Sequence, residues 1–122
     1  MTVINKILLF LIVFIGMTAQ AEKVKCTNPN ATTFEGMIIC LDEDYKFFDE
    51  ELNKIYKEKI QTLNPSKQKN LRKLERQWIQ RRDFKCNSLV DEINYGKESH
   101  FSAIECMTDM TKERIEFLKK YQ

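Results

Sequence analysis

Four cysteines, one histidine and two runs of carboxylates are the residues of this chain best equipped for chemistry. Cys26, Cys40, Cys86 and Cys106 lie 14, 46 and 20 positions apart, without the close cysteine pairs or neighbouring histidine of a zinc framework. His100 stands in the turn-like stretch NYGKESH, residues 94–100, with no serine or cysteine pattern beside it that would make it the base for a nucleophile. Asp42, Glu43 and Asp44, and again Asp49, Glu50 and Glu51, could supply the paired carboxylates of a glycosidase. Successive helical residues point in different directions, however, so most of these form a wetted face. The pattern calls for no enzyme, no metal and no cofactor, and leaves sulfur–sulfur bonding as the chemistry to expect.

Export supports that expectation. The opening MTVINKILLFLIVFIGMTAQA has one cation at Lys6, an apolar run from Ile7 to Met17 and Ala19-Gln20-Ala21 as a cleavage signal, so residues 1–21 read as a secretory signal peptide. The run is shorter than the roughly 20 apolar residues of a spanning helix. Cys26 follows Lys-Val-Lys rather than small apolar residues, which argues against lipid attachment, so no stable membrane anchor is expected after cleavage. Residues 22–122 then form a single periplasmic or secreted domain of 101 residues, in a compartment where its thiols oxidise. Without Lys6 the charges number 19 basic against 18 acidic, with no clustered excess, which gives no footprint for nucleic acid.

Three Gly, two Pro and a helical spacing of apolar residues predict an all-α chain to carry these residues. A first helix carries Phe34, Ile38, Leu41, Tyr45, Phe48, Leu52, Ile55, Ile60 and Leu63 on one face, with Thr32 and Glu35 at capping-box spacing. Asn64 and Pro65 suit the cap and first turn of a second helix, whose face is Leu71, Leu74, Trp78, Ile79, Arg82, Cys86, Leu89 and Ile93 and whose stop is Asn94-Tyr95-Gly96. A third helix opens at Ser102-Ala103-Ile104-Glu105, again at capping-box spacing, and continues through Met107, Thr111, Ile115 and Leu118. Short turns make this a small three-helix antiparallel bundle stapled by two disulfides.

Within it, ERQWIQRRDFKC, residues 75–86, concentrates the one tryptophan, several cations and a cysteine. With the first turn near residues 65 and 66 and a uniform rise per residue, Asp49 comes level with Arg82, Asn53 with Trp78, and Tyr56 with Glu75. A guanidinium half-buried against tryptophan needs a carboxylate, and Asp49 is placed to supply it. Similar level counting lets both Cys40 and Cys86 approach Cys106. Cys26 with Cys86 and Cys40 with Cys106 is the preferred pairing, because it ties the leader to every helix; Cys26 with Cys40 and Cys86 with Cys106 is the alternative.

Three stretches, Cys40 through Tyr45 to DEELNKIY, LRKLERQWIQRRDFKC, and SAIECMTDMTKERIEFL, resemble the LprI N-terminal-like family of small exported bacterial proteins, named after a mycobacterial lipoprotein described as a lysozyme inhibitor. The resemblance runs from Cys26 to Leu118 and is most specific at Asp49, Leu52, Asn53 and Tyr56; at Leu71, Arg76, Trp78, Arg82, Asp83 and Cys86; and at Cys106, Thr111, Arg114 and Leu118. The chain departs from it at Glu75, where glutamine is usual, at the single Gly96, where paired glycines often stand, and in lacking a lipid-attachment signal. The resemblance implies a structural polar network of Asp49, Asn53, Tyr56, Trp78, Arg82, Asp83, Thr111 and Arg114. It also implies a binding module with a protein partner, a lysozyme-type peptidoglycan hydrolase being the named example. The exposed turn with Tyr95, Lys97, Ser99 and His100 is the candidate target contact. A structural or envelope-assembly role without a hydrolase target is the alternative.

Overall fold

The computed structural model describes residues 26–122, so the signal-peptide reading of residues 1–21 lies outside the described residues. Four helices follow one another: α1 (Phe34–Gln61), α2 (Pro65–Asn87), the single turn α3 (Glu92–Tyr95) and α4 (Ser99–Lys120). The three long helices pack together, and the chain is all-α among the described residues.

Thr33, not Thr32, caps α1, its hydroxyl accepting from the Gly36 amide at 3.1 Å. Glu35 then falls one residue short of the position from which it could reach back to the cap, so the expected capping box does not form. At the first turn the expected chemistry is present. Asn64 Oδ1 accepts from the Lys67 amide at 2.9 Å, and Pro65 begins the helix. Gln68 folds back from α2 to donate to the carbonyls of Ile60 and Leu63 at 2.9 and 3.1 Å, satisfying acceptors that the end of α1 leaves open.

Beyond Cys86 the expected helix boundaries are corrected. α2 stops at Asn87 instead of running to residue 94, because Ser88 turns its hydroxyl onto the Lys85 carbonyl at 2.6 Å and Asp91 starts a new turn. The Asp91 carboxylate accepts from both the backbone and side-chain amides of Asn94, at 3.1 and 2.7 Å, a local bond that competes with helix continuation. Gly96 ends α3 at φ +68°, where an added Cβ would stand 2.8 Å from a Glu98 carboxylate oxygen. α4 begins at Ser99 instead of Ser102, with the Ser99 hydroxyl donating to the Gly96 carbonyl at 2.8 Å.

α1 and α4 run parallel and pack along their length, from Phe34 against Phe101 at 5.1 Å to Lys59 Nζ at the Lys119 carbonyl, 3.3 Å. α2 runs against both. Its register on α4 is marked by Asn70 with the Tyr121 hydroxyl, Glu75 with Arg114, and Cys86 with Cys106. The core is small: Phe48, Leu52, Leu71, Trp78, Ile115 and Leu118, of which Leu71 and Leu118 are wholly buried. A core of that size leaves stability to staples and to the charged groups around it.

The disulfides pair Cys26 with Cys40 and Cys86 with Cys106, which overturns the preferred pairing of the sequence reading. The cause lies in the leader. Thr27 donates to Glu43 from its amide at 2.7 Å and from its hydroxyl at 3.1 Å, which clips the leader along α1 instead of carrying it to α2. Glu43 and Cys40 are three apart on one helical face, so that clip sets Cys26 beside Cys40. Cys86 meanwhile reaches α4, its sulfur 3.7 Å from that of Met110.

Candidate functional site

Trp78 is buried between two guanidiniums, Arg82 at 5.0 Å from its ring and Arg114 at 5.5 Å. Each cation has carboxylate company. Arg114 Nε donates to Glu75 Oε1 at 2.7 Å, and both partners are almost wholly buried. Its Nη2 lies close to the same oxygen but at an angle unsuited to a hydrogen bond, and it has no other acceptor. The face of Phe117, 3.9 Å from the guanidinium, covers what remains.

Arg82 is held differently. Nε donates to Asp83 at 2.9 Å, while Nη1 reaches Asp49 Oδ1 and Thr111 Oγ1 only at 3.4 Å each, the long limit for such bonds. Its side chain is 7% exposed, whereas Asp49 and Asp83 are 38% and 42% exposed, so water shares in screening this cation but not in screening Arg114. Asn53 donates to Asp49 at 3.4 Å, and Thr111, fully buried, spends its own proton on the Met107 carbonyl at 2.7 Å. Tyr45 lies 5.7 Å from the Arg82 guanidinium; burial pushes its hydroxyl pKa up, against the opposing pull of Arg82.

α1 and α2 draw apart beyond their shared turn, and a cavity of about 410 Å³ opens between them. Its floor is Leu52, Glu75 and Arg82, and its rim includes Asn53, Tyr56, Arg72 and Arg76. Asn53, Tyr56 and Glu75 line this space together, and the Glu75 carboxylate pairs with Arg114 on α4. The Arg114 partner of Glu75 is not among the level pairs that the sequence suggests, and those pairs give Arg72 no role. Arg72 and Arg76, two cations four apart on one face, were the available signal.

The second region is the connection after α2. Ile93 and Tyr95 stand exposed by 96% and 73%, Leu89 and Val90 are partly exposed before them, and Phe84, in the last turn of α2, is exposed by 81%. Leu89 and Ile93, expected on the buried face of the second helix, are therefore surface residues, the consequence of α2 stopping at Asn87. Of the four candidate contact residues, Tyr95 and Lys97 are exposed and His100 is half-buried, its Nε2 2.6 Å from Glu92. Ser99 is not available, being 5% exposed with its hydroxyl committed to Gly96. Hydrogen bonds from Asn94 hold the Asp91 carboxyl below the usual carboxylate range, so this stretch keeps its negative charge. No group of three or more potential metal ligands stands together among the described residues, and none of the described helices is long and apolar enough to cross a membrane.

Fold and surfaces define a small, disulfide-stapled helical protein whose exposed features are suited to recognition. The family model of lysozyme inhibitor LprI matches residues 26–118, and the chain belongs to that family. A distant relative, an uncharacterized protein of Rhizobium meliloti (strain 1021), is 25% identical over 115 residues, covering 84% of this chain and 83% of its own. No solved structure matches.

Proposed function

We propose that this protein is an exported inhibitor that binds a lysozyme-type peptidoglycan hydrolase through the connection between α2 and α4. Membership of the lysozyme inhibitor LprI family supports the class of target. The observation that carries the location is the near-complete exposure of Ile93, with exposed Tyr95 two residues on, on a segment held at one end by Cys86–Cys106. Apolar anchors that are already ordered lose little entropy on entering a cleft, which is how small inhibitors gain affinity. Asp91, Glu92 and Glu98 flank Ile93 and Tyr95 in the sequence against one cation, Lys97, and such local negative charge speeds approach to a cationic enzyme.

The test is turnover of peptidoglycan by a c-type lysozyme against increasing concentrations of the disulfide-intact protein. Inhibition is expected, and replacing both Ile93 and Tyr95 with alanine should weaken it by about thirty-fold or more if these are hot-spot anchors. Lys57→Ala, on the exposed face of α1 far from the connection, serves as the control and should leave inhibition unchanged. Undiminished turnover at micromolar excess of inhibitor would overturn the proposal. Retained inhibition in the double variant would overturn the location alone.

A further inference from the structure

The cavity between α1 and α2 is the feature of the molecule that inhibition through the α2–α4 connection leaves unused. We propose that it is a binding site for a small organic monocarboxylate, the carboxylate held by Arg72 and Arg76 and the apolar or ring-shaped body lying over Leu52, Ile79 and Tyr56. The site is independent of the hydrolase-binding surface and does not rest on it.

Three observations converge. The volume, about 410 Å³, lies within the range of small-molecule sites, and the lining mixes apolar surface with a few convergent polar groups. The charge is unbalanced by one. With the ion-pair partners of the lining counted, four guanidiniums, Arg72, Arg76, Arg82 and Arg114, stand against three carboxylates, Asp49, Glu75 and Asp83. Arg72 and Arg76 are exposed, four residues apart, and form no ion pair among the described residues. Two like charges at that spacing repel, an arrangement that becomes favourable once an anion bridges them. Guanidiniums accept carboxylates in paired, planar geometry, which also orients the rest of the ligand.

The third observation concerns the floor. Arg82 is deeply buried yet has one close acceptor, Asp83, for five N–H donors, and two contacts at 3.4 Å. A carboxylate at the rim therefore meets Arg72 and Arg76 directly, while Arg82 beneath them is already paired with Asp83 and, more loosely, with Asp49. Asp49, beside Arg82, disfavours a doubly charged ligand, which selects one negative charge over two.

Two matched pairs test this on the disulfide-intact protein, since a carboxylate can come from a peptide terminus or from a sugar acid. The first is N-acetyl-dialanine against its C-terminal amide; the second is N-acetylmuramic acid against N-acetylglucosamine. Nuclear magnetic resonance titrations should show saturable shifts in the stretches 45–56 and 72–82 with at least one acid and not with its neutral partner, and the pair that responds identifies the source. Arg72→Gln with Arg76→Gln should weaken binding about ten-fold or more while leaving the melting temperature unchanged, because both residues are exposed. The corresponding lysine pair should fall between, keeping charge without the fork. Raising salt to about 0.5 M should weaken binding further. The proposal fails if neither acid binds at about 10 mM, if a neutral partner binds equally well, if the glutamine pair binds unchanged, or if inorganic phosphate displaces the acids at lower concentration.

Discussion

Glu75 and Arg114 form the most enclosed ion pair described in this protein, and removing the carboxylate is the severest test of how the fold is held. In Glu75→Leu the Arg114 guanidinium would stay buried with no anion, since Nη2 has no acceptor even with glutamate present. Losing one partner of a buried pair costs on the order of 3 to 5 kcal/mol. The rings of Phe117 at 3.9 Å and Trp78 at 5.5 Å still face the cation, which places the loss near the lower end, about 3 kcal/mol. For a domain of this size that is roughly 12 °C or more in melting temperature. Glu75→Gln keeps an oxygen for Arg114 Nε and should lose clearly less than leucine does. The double variant Glu75→Leu with Arg114→Met removes both charges together and should return to within about 1 kcal/mol of the parent, because apolar replacement of a buried pair is close to neutral. Urea unfolding of the parent, these three variants and Arg114→Met alone, followed by circular dichroism and by Trp78 fluorescence, gives all five values. A loss below about 1 kcal/mol in Glu75→Leu, or a double variant no more stable than either single one, would refute the reasoning.

Three further outcomes follow from neighbouring features. Arg82→Ala should destabilise by about 2 kcal/mol, less than a fully enclosed cation because Asp49 and Asp83 are water-exposed, while exposed Arg81→Ala should stay within about 0.5 kcal/mol of the parent; equal effects in thermal melts would contradict the assignment. Burial raises the Tyr45 pKa above its ordinary value of 10.0, so the folded state holds this proton more tightly than the unfolded state. Its contribution is complete below the unfolded value and is lost as pH rises through the folded one, so stability should fall above about pH 10, and Tyr45→Phe should flatten that slope in denaturant titrations. Replacing Cys86 and Cys106 together with serine opens a loop of 20 residues and should cost about 3 kcal/mol; non-reducing peptide mapping of the parent should return the peptides joined as Cys26–Cys40 and Cys86–Cys106, and any other pairing would reject the leader's placement on α1.

What could be read in advance divides according to whether the deciding contact is local. Asn64 and Pro65 act within one turn, so the α1–α2 reversal is visible in the chain itself, and counting from it puts Asp49 opposite Arg82, where the two lie 3.4 Å apart. The same counting misleads beyond Cys86, because Leu89 and Ile93 continue a helical apolar spacing whether they are buried or offered to solvent. The decision rests with Asp91, whose carboxylate takes the Asn94 amides and starts a new turn. Once residues 88–93 are read as a continuation of the second helix and the third is started at Ser102, the register of α4 on α2 shifts, and the Glu75–Arg114 pair, which depends on that register, is hidden. The disulfides follow the same logic. Cys40 could face either Cys26 or Cys106 until Thr27 is seen to bind Glu43, a contact across 16 residues between side chains that carry no pattern of their own. The cavity was the least readable feature, since it is made by two helices failing to meet. A chain of helical repeats announces where its apolar faces are, but not where they stop touching; only the unmatched cations Arg72 and Arg76 mark that place in the sequence, and they do so as a small electrostatic cost looking for a reason.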